Sequence, residues 1–513
     1  MFSAAGYFRV ESCKLGKNRV GSGSDFQYKV KSTNQNKALA VAQENQEIGD
    51  LPLVVDVDDS LLKTDLLMEC FWAALGKHPL LCLMAVFTLF NNRALLKARL
   101  AQLASLDTAL LPRRGAVQTL ISGARGEVVL ASGSDISLVE SLSQQLGLEA
   151  APMGSDGKTN LTGANKAKAL VARYGAGQFT YVGDSVKDIP VWDVAAGGYC
   201  VAPSDKLASK LRAAGVKIEP IGEAAKPANL FRALRPRQWL KNILLFLPLL
   251  AAHRADFAGF TLAMWGVAIF SAAASSIYIV NDLMDLEADR KHETKCNRPF
   301  ASGAVSILSG MGASVALALG ALGGALLHSW QLGAIIALYM VLSLSYSLGL
   351  KRLRWVDIAM LASLYTLRVV AGSVAVGVAM SGWLGAFIFP VFLALGGVKR
   401  LIELGKTKSE AALPGRGYAR RDREDLRNIA ITASVGAIVV YLLYTYGAVA
   451  STLYQNLFEI RFAAIPVALW LGRMIYLGWH GRMDYDPIVF ALRDPIGLTL
   501  IAVGGFMLTH AAS

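Results

Sequence analysis

The sequence predicts two parts of different fold class: an α/β domain, then an all-α domain that spans a membrane. Of the 513 residues, 54% are apolar and 17% are charged, a balance typical of membrane proteins. Up to about residue 225 the apolar residues alternate with polar ones, as in soluble folds. After residue 239 they form blocks close to bilayer-spanning length. We therefore expect a soluble half followed by a membrane half.

Composition also predicts the domain boundaries. Residues 1–48 are polar and lack an apolar segment, so we expect a flexible leader that is neither a signal peptide nor an anchor. The α/β domain is predicted at residues 49–220, with a helical insertion at about residues 62–125. A linker is expected at residues 221–236 and the membrane domain at residues 237–513.

The first strand of the soluble half ends in two carboxylates. Asp56 and Asp58 follow the apolar run of residues 51–55. Because side chains alternate along a strand, the two acids begin on the same side as the chain leaves the sheet. Such a pair can divide the work of a reaction, one acid attacking and the other transferring a proton.

Three further motifs follow in the soluble half. A second strand ends at Ser132, a helix opens with Lys166, and a third strand is followed by Asp184 and Asp188. Taken together and in this order, the four motifs resemble the haloacid dehalogenase (HAD) superfamily of phosphohydrolases. The resemblance covers about residues 52–203 and implies a HAD-like Rossmannoid α/β domain with a helical cap.

The resemblance implies a role for each residue. Asp56 would be the nucleophile that forms an aspartyl-phosphate, and Asp58 the general acid and base. Ser132 and Lys166 would hold the phosphoryl oxygens. The implied Mg²⁺ ligands are Asp56, Asp58 through its carbonyl, Asp184 and Asp188.

The sequence departs from the HAD pattern at two positions. Asp59 stands where glycine is usual, and Ser60 where threonine is usual. Two interpretations therefore stay open: an active phosphatase, or a HAD fold that no longer hydrolyses a substrate.

The predicted cap contains an apolar segment, His78 to Phe90, which is too short to cross a bilayer. It predicts either a buried cap helix or a helix that lies on the membrane surface. In the second case it would bring the phosphatase pocket to lipid-attached substrates.

The membrane half predicts a bundle of nine transmembrane helices. Their approximate positions are residues 240–252, 260–280, 305–327, 332–350, 358–380, 383–398, 429–453, 462–477 and 496–508. Lysines and arginines concentrate in alternate loops, which the positive-inside rule assigns to the cytoplasm. We therefore expect a multi-pass protein of the cell inner membrane, with the soluble half in the cytoplasm. The formal charge of +13 then indicates contact with lipid and not with nucleic acid.

Three aspartates follow the second predicted membrane helix. Asp282, Asp285 and Asp289 are spaced i, i+3 and i+7, which predicts one helical face. Hard oxygen ligands on one face suit Mg²⁺ carrying a diphosphate, and carboxylates at a membrane helix are usually kept for function. The alternative is a solvated helix end whose acids pair with Arg290, Lys291 and Lys295.

The segment resembles the first aspartate motif of the UbiA-type intramembrane prenyltransferase superfamily. The pattern N-D-x-x-D-x-x-x-D begins at Asn281, and Arg298-Pro299 follows it. The resemblance implies an all-α UbiA-type bundle in which Asp282 and Asp285 are catalytic and Asp282, Asp285 and Asp289 hold Mg²⁺. The residues expected to bind substrate are Asn281, Arg290, Lys295, Arg298, Lys351, Asp357, Arg368 and Lys241.

A second aspartate motif, usual in this superfamily, is incomplete. Asp357 is present, but Leu361 stands where its partner acid would be. The segments Tyr346–Lys351 and Leu367–Gly372 instead resemble the decaprenyl-phosphate phosphoribosyltransferase branch, with Y-S-x-x-L-K and L-R-x-x-A-G. The opening R-P-x-Q-W-x-K-N of residues 235–242, which contains Lys241, fits the same branch.

These resemblances imply a transferase that moves phosphoribose from phosphoribosyl diphosphate to a polyprenyl phosphate. The HAD domain would then remove the 5-phosphate from the lipid product. One alternative is transfer from a prenyl diphosphate to an aromatic or other acceptor, with a regulatory or inactive HAD domain. Another is a membrane-anchored phosphatase.

Overall fold

The computed structural model describes residues 51–213, 218–222, 227–252, 256–406, 416–483 and 486–512. The predicted leader lies outside the described residues. The chain forms two compact units. The first unit takes the residues up to Ala233 together with Asp282–Gly312, and the second takes Leu234–Asn281 and Ala313–Ser513. The segment Asp282–Gly312 thus packs with the first unit.

The first unit is built on a six-stranded parallel sheet of order β3-β2-β1-β4-β5-β6. The strands are β1 (Leu53–Val55), β2 (Val128–Asp135), β3 (Met153–Ser155), β4 (Thr180–Gly183), β5 (Gly197–Val201) and β6 (Ile218–Ile221). Val54 and Val55 pack into different core clusters, because successive side chains of the central strand point to opposite faces. Both faces of the sheet are therefore covered, as parallel sheets require.

Helices of the first unit connect these strands. They are α1 (Leu66–Lys77), α2 (Pro79–Leu89), α3 (Arg93–Ala104), α4 (Gly115–Gly123), α5 (Ile136–Leu146), α6 (Ala164–Tyr174), α7 (Ile189–Trp192), α8 (Asp205–Ala213) and α9 (Pro227–Ala233). Helices α1 to α4 stand between β1 and β2, where the sequence predicted a helical insertion.

Helix α2 is not the buried cap helix that was one of the two interpretations. Only Cys82 and Ala85 of its residues are buried. Its large apolar side chains are exposed, so the expectation of burial was wrong.

The remaining helices follow in chain order. They are α10 (Leu247–Ala251), α11 (Phe257–Met284), α12 (Leu286–Lys291), α13 (Ile307–His328), α14 (Trp330–Leu348), α15 (Val356–Val376), α16 (Gly382–Lys406), α17 (Arg423–Tyr446), α18 (Ala448–Leu453), α19 (Leu457–Phe462), α20 (Ala464–Trp479), α21 (Pro487–Ala491) and α22 (Pro495–Ala512). Of these, α12 lies wholly in the first unit.

Eight helical segments among the described residues are long and apolar enough to cross a membrane. They are Phe257–Met284, Ile307–His328, Trp330–Leu348, Val356–Val376, Gly382–Lys406, Arg420–Tyr446, Leu457–Trp479 and Pro495–Ala512. The predicted fold class, an α/β domain followed by an all-α membrane region, is confirmed. The predicted count of nine spans is not.

The difference lies at the first predicted membrane helix. There the chain forms a 3₁₀ helix, Pro236–Phe246, followed by the short helix α10. Pro248 stands at the start of α10. Proline has no N–H, and its ring would clash with the carbonyl of Leu244 in a continuous α-helix. The apolar run is therefore divided and forms no single span.

Candidate active sites

The Asp56 pocket lies where the central strands of the sheet end. Asp56 follows β1 and is 6% exposed. The Nζ atom of Lys166 is 2.7 Å from Oδ1 of Asp56 and 3.6 Å from Oδ1 of Asp188. The Tyr181 hydroxyl donates a 2.8 Å hydrogen bond to Asp188 and lies 2.8 Å from the Lys166 ammonium. The predicted nucleophile therefore sits beside a buried cation.

Three carboxylates of this pocket can share a metal ion. Asp56, Asp184 and Asp188 each offer an oxygen, and these oxygens lie within 4.8 Å of one another. Burial raises the pKa of Asp56 to about 7, and burial together with Asp56 and Asp188 raises the pKa of Asp184 to about 8. A divalent cation would relieve both effects, and its preferred ligands are oxygens of this type. The cluster therefore fits the predicted Mg²⁺.

Asp58 has different hydrogen-bond partners from Asp56. Its Oδ2 atom accepts hydrogen bonds from the hydroxyls of Ser132 (2.8 Å) and Ser134 (2.7 Å). Its Oδ1 atom accepts a 2.7 Å bond from the Leu66 N–H at the start of α1. Three donors fix the rotamer of this carboxylate, which suits a group that must exchange a proton at one position. Ser132, predicted to hold a phosphoryl oxygen, here contacts Asp58.

The two departures from the HAD pattern have a structural meaning. Asp59 adopts φ +52°, in the left-handed region that glycine enters most readily. Aspartate tolerates this region better than most side chains, so the turn after Asp58 forms without glycine. Ser60 keeps a hydroxyl in the pocket, 3.4 Å from oxygens of both Asp56 and Asp184.

The aspartate run is divided between two helices. Helix α11 ends at Met284, and Asp285 is the N-cap of α12 with φ −96° and ψ 12°. The predicted single helical face is therefore interrupted at Asp285. Asp282 and Asp289 are still brought together, because Nη1 of Arg298 lies 3.0 Å from Asp282 Oδ1 and 2.6 Å from Asp289 Oδ2.

This arrangement gathers two of the three predicted metal ligands around one positive group. Asp282 and Asp289 are 2% and 3% exposed, and their oxygens converge on the Arg298 guanidinium. Two hard oxygens that converge in this way suit a cation, including Mg²⁺. Within the described ranges, however, the group of three acids close enough to share a metal ion is the Asp56 cluster and not the aspartate run.

Two other residues of the motif have different surroundings. The Arg290 guanidinium makes a bidentate pair with Glu69 of α1, with N–O distances of 3.0 and 2.6 Å. The side chains are 6% and 1% exposed, and Thr64 donates a third bond of 2.6 Å to Glu69. Lys295 is exposed in the 3₁₀ turn Lys295–Asn297. Arg290, predicted to bind substrate, therefore connects the aspartate run to α1.

The second unit contains a cavity of about 440 Å³. Its wall includes Asn281, the residue that precedes the aspartate run, and four tyrosines. Basic side chains outnumber acidic ones by six to two: Arg235, Lys241, Arg368, Lys399, Lys406 and Arg416 against Glu403 and Asp486. A concave site with this charge suits an anion.

Asp486 organises one wall of the cavity. Its Oδ2 atom lies 2.7 Å from Nζ of Lys241 and 3.1 Å from Nζ of Lys399. The Tyr365 hydroxyl lies 3.5 Å from the same oxygen. Lys241 was predicted from its motif, but Asp486 was missed. Its only local signal is an Asp-Pro pair between the last two apolar segments.

Asp357 lies outside the cavity lining and is fully buried. It pairs with Arg400, accepts a 2.9 Å hydrogen bond from the Tyr346 hydroxyl, and lies 3.1 Å from Nη1 of Arg416. Tyr346 and Arg416 both line the cavity. Asp357, predicted to bind substrate, therefore orients two residues that face it.

Arg368 lines the cavity as predicted, although it is only 4% exposed. Its guanidinium lies 5.1 to 5.2 Å from the ring centroids of Phe270, Tyr339 and Tyr365. It also donates to Asn242 Oδ1 at 3.1 Å. The charge is thus held in a ring of aromatic faces. Lys351, the other predicted cation of this region, is not part of the lining.

Comparison with known proteins identifies the family of the chain. Residues 243–493 match the model of the UbiA prenyltransferase family. An uncharacterized protein, y4nM, of Sinorhizobium fredii is 35% identical over 453 residues, which cover 86% of this chain and 88% of that protein. Nodulation protein NoeC of Azorhizobium caulinodans is 35% identical over 282 residues, 54% of this chain and 90% of that protein.

A third relative carries an enzyme's name. The decaprenyl-phosphate phosphoribosyltransferase of Mycobacterium tuberculosis is 32% identical over 234 residues, 43% of this chain and 76% of that protein. The resemblance found in the aspartate run and in the Tyr346–Lys351 segment is thereby confirmed. This chain is an integral membrane protein that belongs to the UbiA prenyltransferase family.

Proposed function

We propose that the membrane half transfers phosphoribose from phosphoribosyl diphosphate to a polyprenyl phosphate, and that the soluble half removes the 5-phosphate from the product. The observation that carries the proposal is the surplus of basic side chains around the cavity of the second unit. The name of the Mycobacterium tuberculosis relative supports the same transfer.

The charge of the cavity favours two phosphorylated substrates. The donor brings a diphosphate and a 5-phosphate, and the acceptor brings one further phosphate. Lysine and arginine neutralise phosphoryl oxygens through charge-assisted hydrogen bonds. A neutral aromatic acceptor brings no phosphate, so it would add no negative charge to a cavity in which basic side chains outnumber acidic ones by six to two.

The state of Asp357 also favours a sugar donor over a prenyl diphosphate. A second metal site, which the family resemblance implies for prenyl diphosphates, needs two free carboxylates. Here Leu361 replaces one, and Asp357 is bound by Arg400 and Arg416. The region therefore supplies cations of its own, and the acid pair of the second aspartate motif is incomplete.

The transfer can be written from these residues. An oxygen of the acceptor phosphate attacks C1 of the ribose while the bond from C1 to the diphosphate oxygen breaks. The electron pair of that bond leaves with the diphosphate, and nearby lysines and arginines stabilise the developing charge. Mg²⁺ held by Asp282, Asp285 and Asp289 would add to this stabilisation.

The second reaction belongs to the Asp56 pocket. An Asp56 oxygen attacks phosphorus, and the bond from phosphorus to the ribose O5 breaks. Asp58 gives its proton to O5 and then takes one from the water that hydrolyses the aspartyl-phosphate. Lys166 balances charge on the phosphoryl oxygens beside Asp56. Mg²⁺ at Asp56, Asp184 and Asp188 would neutralise the remaining charge.

We also place the soluble half and the basic loops on the cytoplasmic side of the inner membrane. The support is the excess of lysine and arginine in alternate loops. Protease added to intact spheroplasts should leave the soluble half uncut, and should degrade it after lysis. Cleavage before lysis would contradict this orientation.

The donor assay tests the transfer. The full chain, reconstituted with polyprenyl phosphate and Mg²⁺, receives either ribose-labelled phosphoribosyl diphosphate or a labelled prenyl diphosphate with an aromatic acid. We expect lipid-linked label from the first donor only. Label on the aromatic acid and none from ribose would contradict the proposal. No label from either donor, with an aryl phosphate still hydrolysed, would favour an anchored phosphatase.

A further inference from the structure

Helix α2 presents an apolar surface that the described residues of the first unit leave exposed. Six large apolar side chains project from residues 80–90, and no charged residue interrupts them. Their exposed fractions are Leu80 76%, Leu81 47%, Leu83 43%, Met84 61%, Phe87 81% and Phe90 71%. We call this set the α2 apolar surface.

Leaving such a surface in water is unfavourable. Burying one large apolar side chain contributes about 1.5–3 kcal/mol, so six exposed ones forgo a large stabilisation. Soluble proteins seldom leave a continuous apolar patch of this size without a partner. Helix α2 has 11 residues and would rise about 17 Å, too short to cross a bilayer. If the partner is a lipid bilayer, the helix must therefore lie along the membrane surface.

The charges around α2 indicate which partner. His78 precedes the helix, and the exposed side chains Arg93 and Arg99 follow it on α3. Basic residues that border an apolar helix match anionic lipid headgroups. The described residues of the same chain also include eight candidate membrane spans, which would hold this unit near a bilayer at high effective concentration.

Helix α2 is connected to the Asp56 pocket through its neighbours. The next helix, α3, carries Lys97, whose Nζ donates to the Gly133 carbonyl at 2.5 Å. Gly133 stands between Ser132 and Ser134, which both bind Asp58. The preceding helix, α1, donates its first N–H to Asp58. The helix with the apolar surface is thus flanked by two helices that contact the pocket rim.

We propose that α2 lies in the headgroup region of the membrane and holds the Asp56 pocket at the lipid surface, where it receives lipid-attached phosphate monoesters. The proposed membrane contact rests on the exposed apolar side chains and the basic residues beside them, and it does not depend on any catalytic activity. Its role in catalysis rests on the phosphatase activity proposed above.

A quenching experiment tests the contact without any activity measurement. The full chain, with its native cysteines replaced by alanine, is labelled with a fluorophore at Phe87→Cys or at Glu140→Cys, an exposed position on α5. Both proteins are reconstituted in vesicles that contain anionic lipid. We expect nitroxide attached to lipid to quench the label at position 87 several-fold more than the label at position 140. The proposal would be overturned if a water-soluble quencher quenched the labels at positions 87 and 140 equally. It would also be overturned if neither the lipid-attached nor the water-soluble quencher reached the label at position 87.

A second pair of measurements uses the native cysteines. Met84→Gln with Phe87→Gln changes only exposed side chains, so the fold should persist. We expect kcat/KM for a vesicle-bound lipid phosphate to fall about tenfold while hydrolysis of a soluble aryl phosphate stays unchanged. If both substrates are hydrolysed as by the unaltered chain, the membrane role is wrong. If neither chain hydrolyses either substrate, the phosphatase proposal fails, and the quenching result still decides the contact.

Discussion

The Asp56 pocket and the cavity of the second unit, the two sites for which we propose phosphorylated substrates, differ in charge. In the pocket, three carboxylates lie within 4.8 Å of one another, two of them beside one ammonium group, and burial raises the pKa of Asp56 and Asp184. In the cavity, basic side chains outnumber acidic ones by six to two. The pocket needs an incoming cation before it can accept an anion, whereas the cavity supplies its own. The two sites therefore differ in the sign of the charge that a bound ion would have to balance.

The difference extends to how the acids are positioned. The pocket residues follow the ends of neighbouring parallel strands, so the sheet itself fixes their spacing. The aspartate run depends on a helix break at Asp285 and on one arginine shared by Asp282 and Asp289. We therefore expect the pocket to tolerate changes elsewhere in the chain better than the aspartate run does.

Removal of the pocket nucleophile should have the largest effect. Asp56→Asn replaces a carboxylate by an amide that cannot form the aspartyl-phosphate, so phosphatase activity should fall by more than about 10³-fold. Ribosyl transfer should continue, and mass spectrometry should find the lipid product with one additional phosphate. Asp205→Asn, an exposed acid on α8, serves as the control. Identical products from Asp56→Asn and the unaltered chain would show that the pocket does not act on this lipid.

The complementary change affects the other region. Asp282→Asn keeps the shape of the side chain but removes its charge, and transfer should fall by about 10²–10³-fold because leaving-group stabilisation is lost. Hydrolysis of a soluble aryl phosphate should not change. Glu293→Gln, an exposed acid of the same segment, provides the comparison. Transfer at the normal rate in Asp282→Asn would exclude the aspartate run from the active site.

A smaller loss is expected from one cavity cation. Arg416→Ala removes a charged hydrogen-bond donor worth about 2 kcal/mol, which corresponds to roughly a thirtyfold fall in kcat/KM for transfer. Arg421→Ala, exposed and outside the cavity lining, should have no such effect. The comparison is made with ribose-labelled donor at subsaturating concentration. If the two variants behave alike, the cavity is not the donor site.

The smallest effect on transfer should come from the pair that connects the aspartate run to α1. Glu69→Gln leaves the Arg290 charge buried without its counter-ion, so transfer should fall by about tenfold and stability by about 3 kcal/mol. Glu287→Gln breaks the more exposed pair with Lys77 and should cost under about 1 kcal/mol. Melting temperatures in detergent measure both. Equal shifts for the two variants would contradict the role given to Arg290.

Much of this organisation could be predicted because it is local. The strand ends before Asp56 and Asp184 are signalled by apolar runs that stop at polar residues, whereas β2 continues past Ser132, its predicted end, to Asp135. Most membrane helices were predicted within a few residues, because lipid requires long apolar segments. The error in the span count arose from Pro248, because the apolar content of a segment does not show where a proline interrupts the helix.

What could not be predicted depends on partners far along the chain. Asp486 binds Lys241 from 245 positions away, and Glu69 binds Arg290 from 221 positions away. Neither pairing leaves a periodic or motif signal, because only the fold brings the residues together. For the same reason Arg290 was assigned to substrate by its motif, although its guanidinium is used inside the first unit.

The packing of Asp282–Gly312 with the soluble half has a consequence for any attempt to divide the gene. A cut in the predicted linker would give a soluble fragment with Glu69 lacking its arginine, and a membrane fragment with Arg290 lacking its acid. Each fragment would therefore expose a charged side chain whose ion-pair partner lies in the other fragment. Neither half can therefore be exchanged for a foreign one during evolution unless the residue that replaces Glu69 or Arg290 also pairs with the half that is kept.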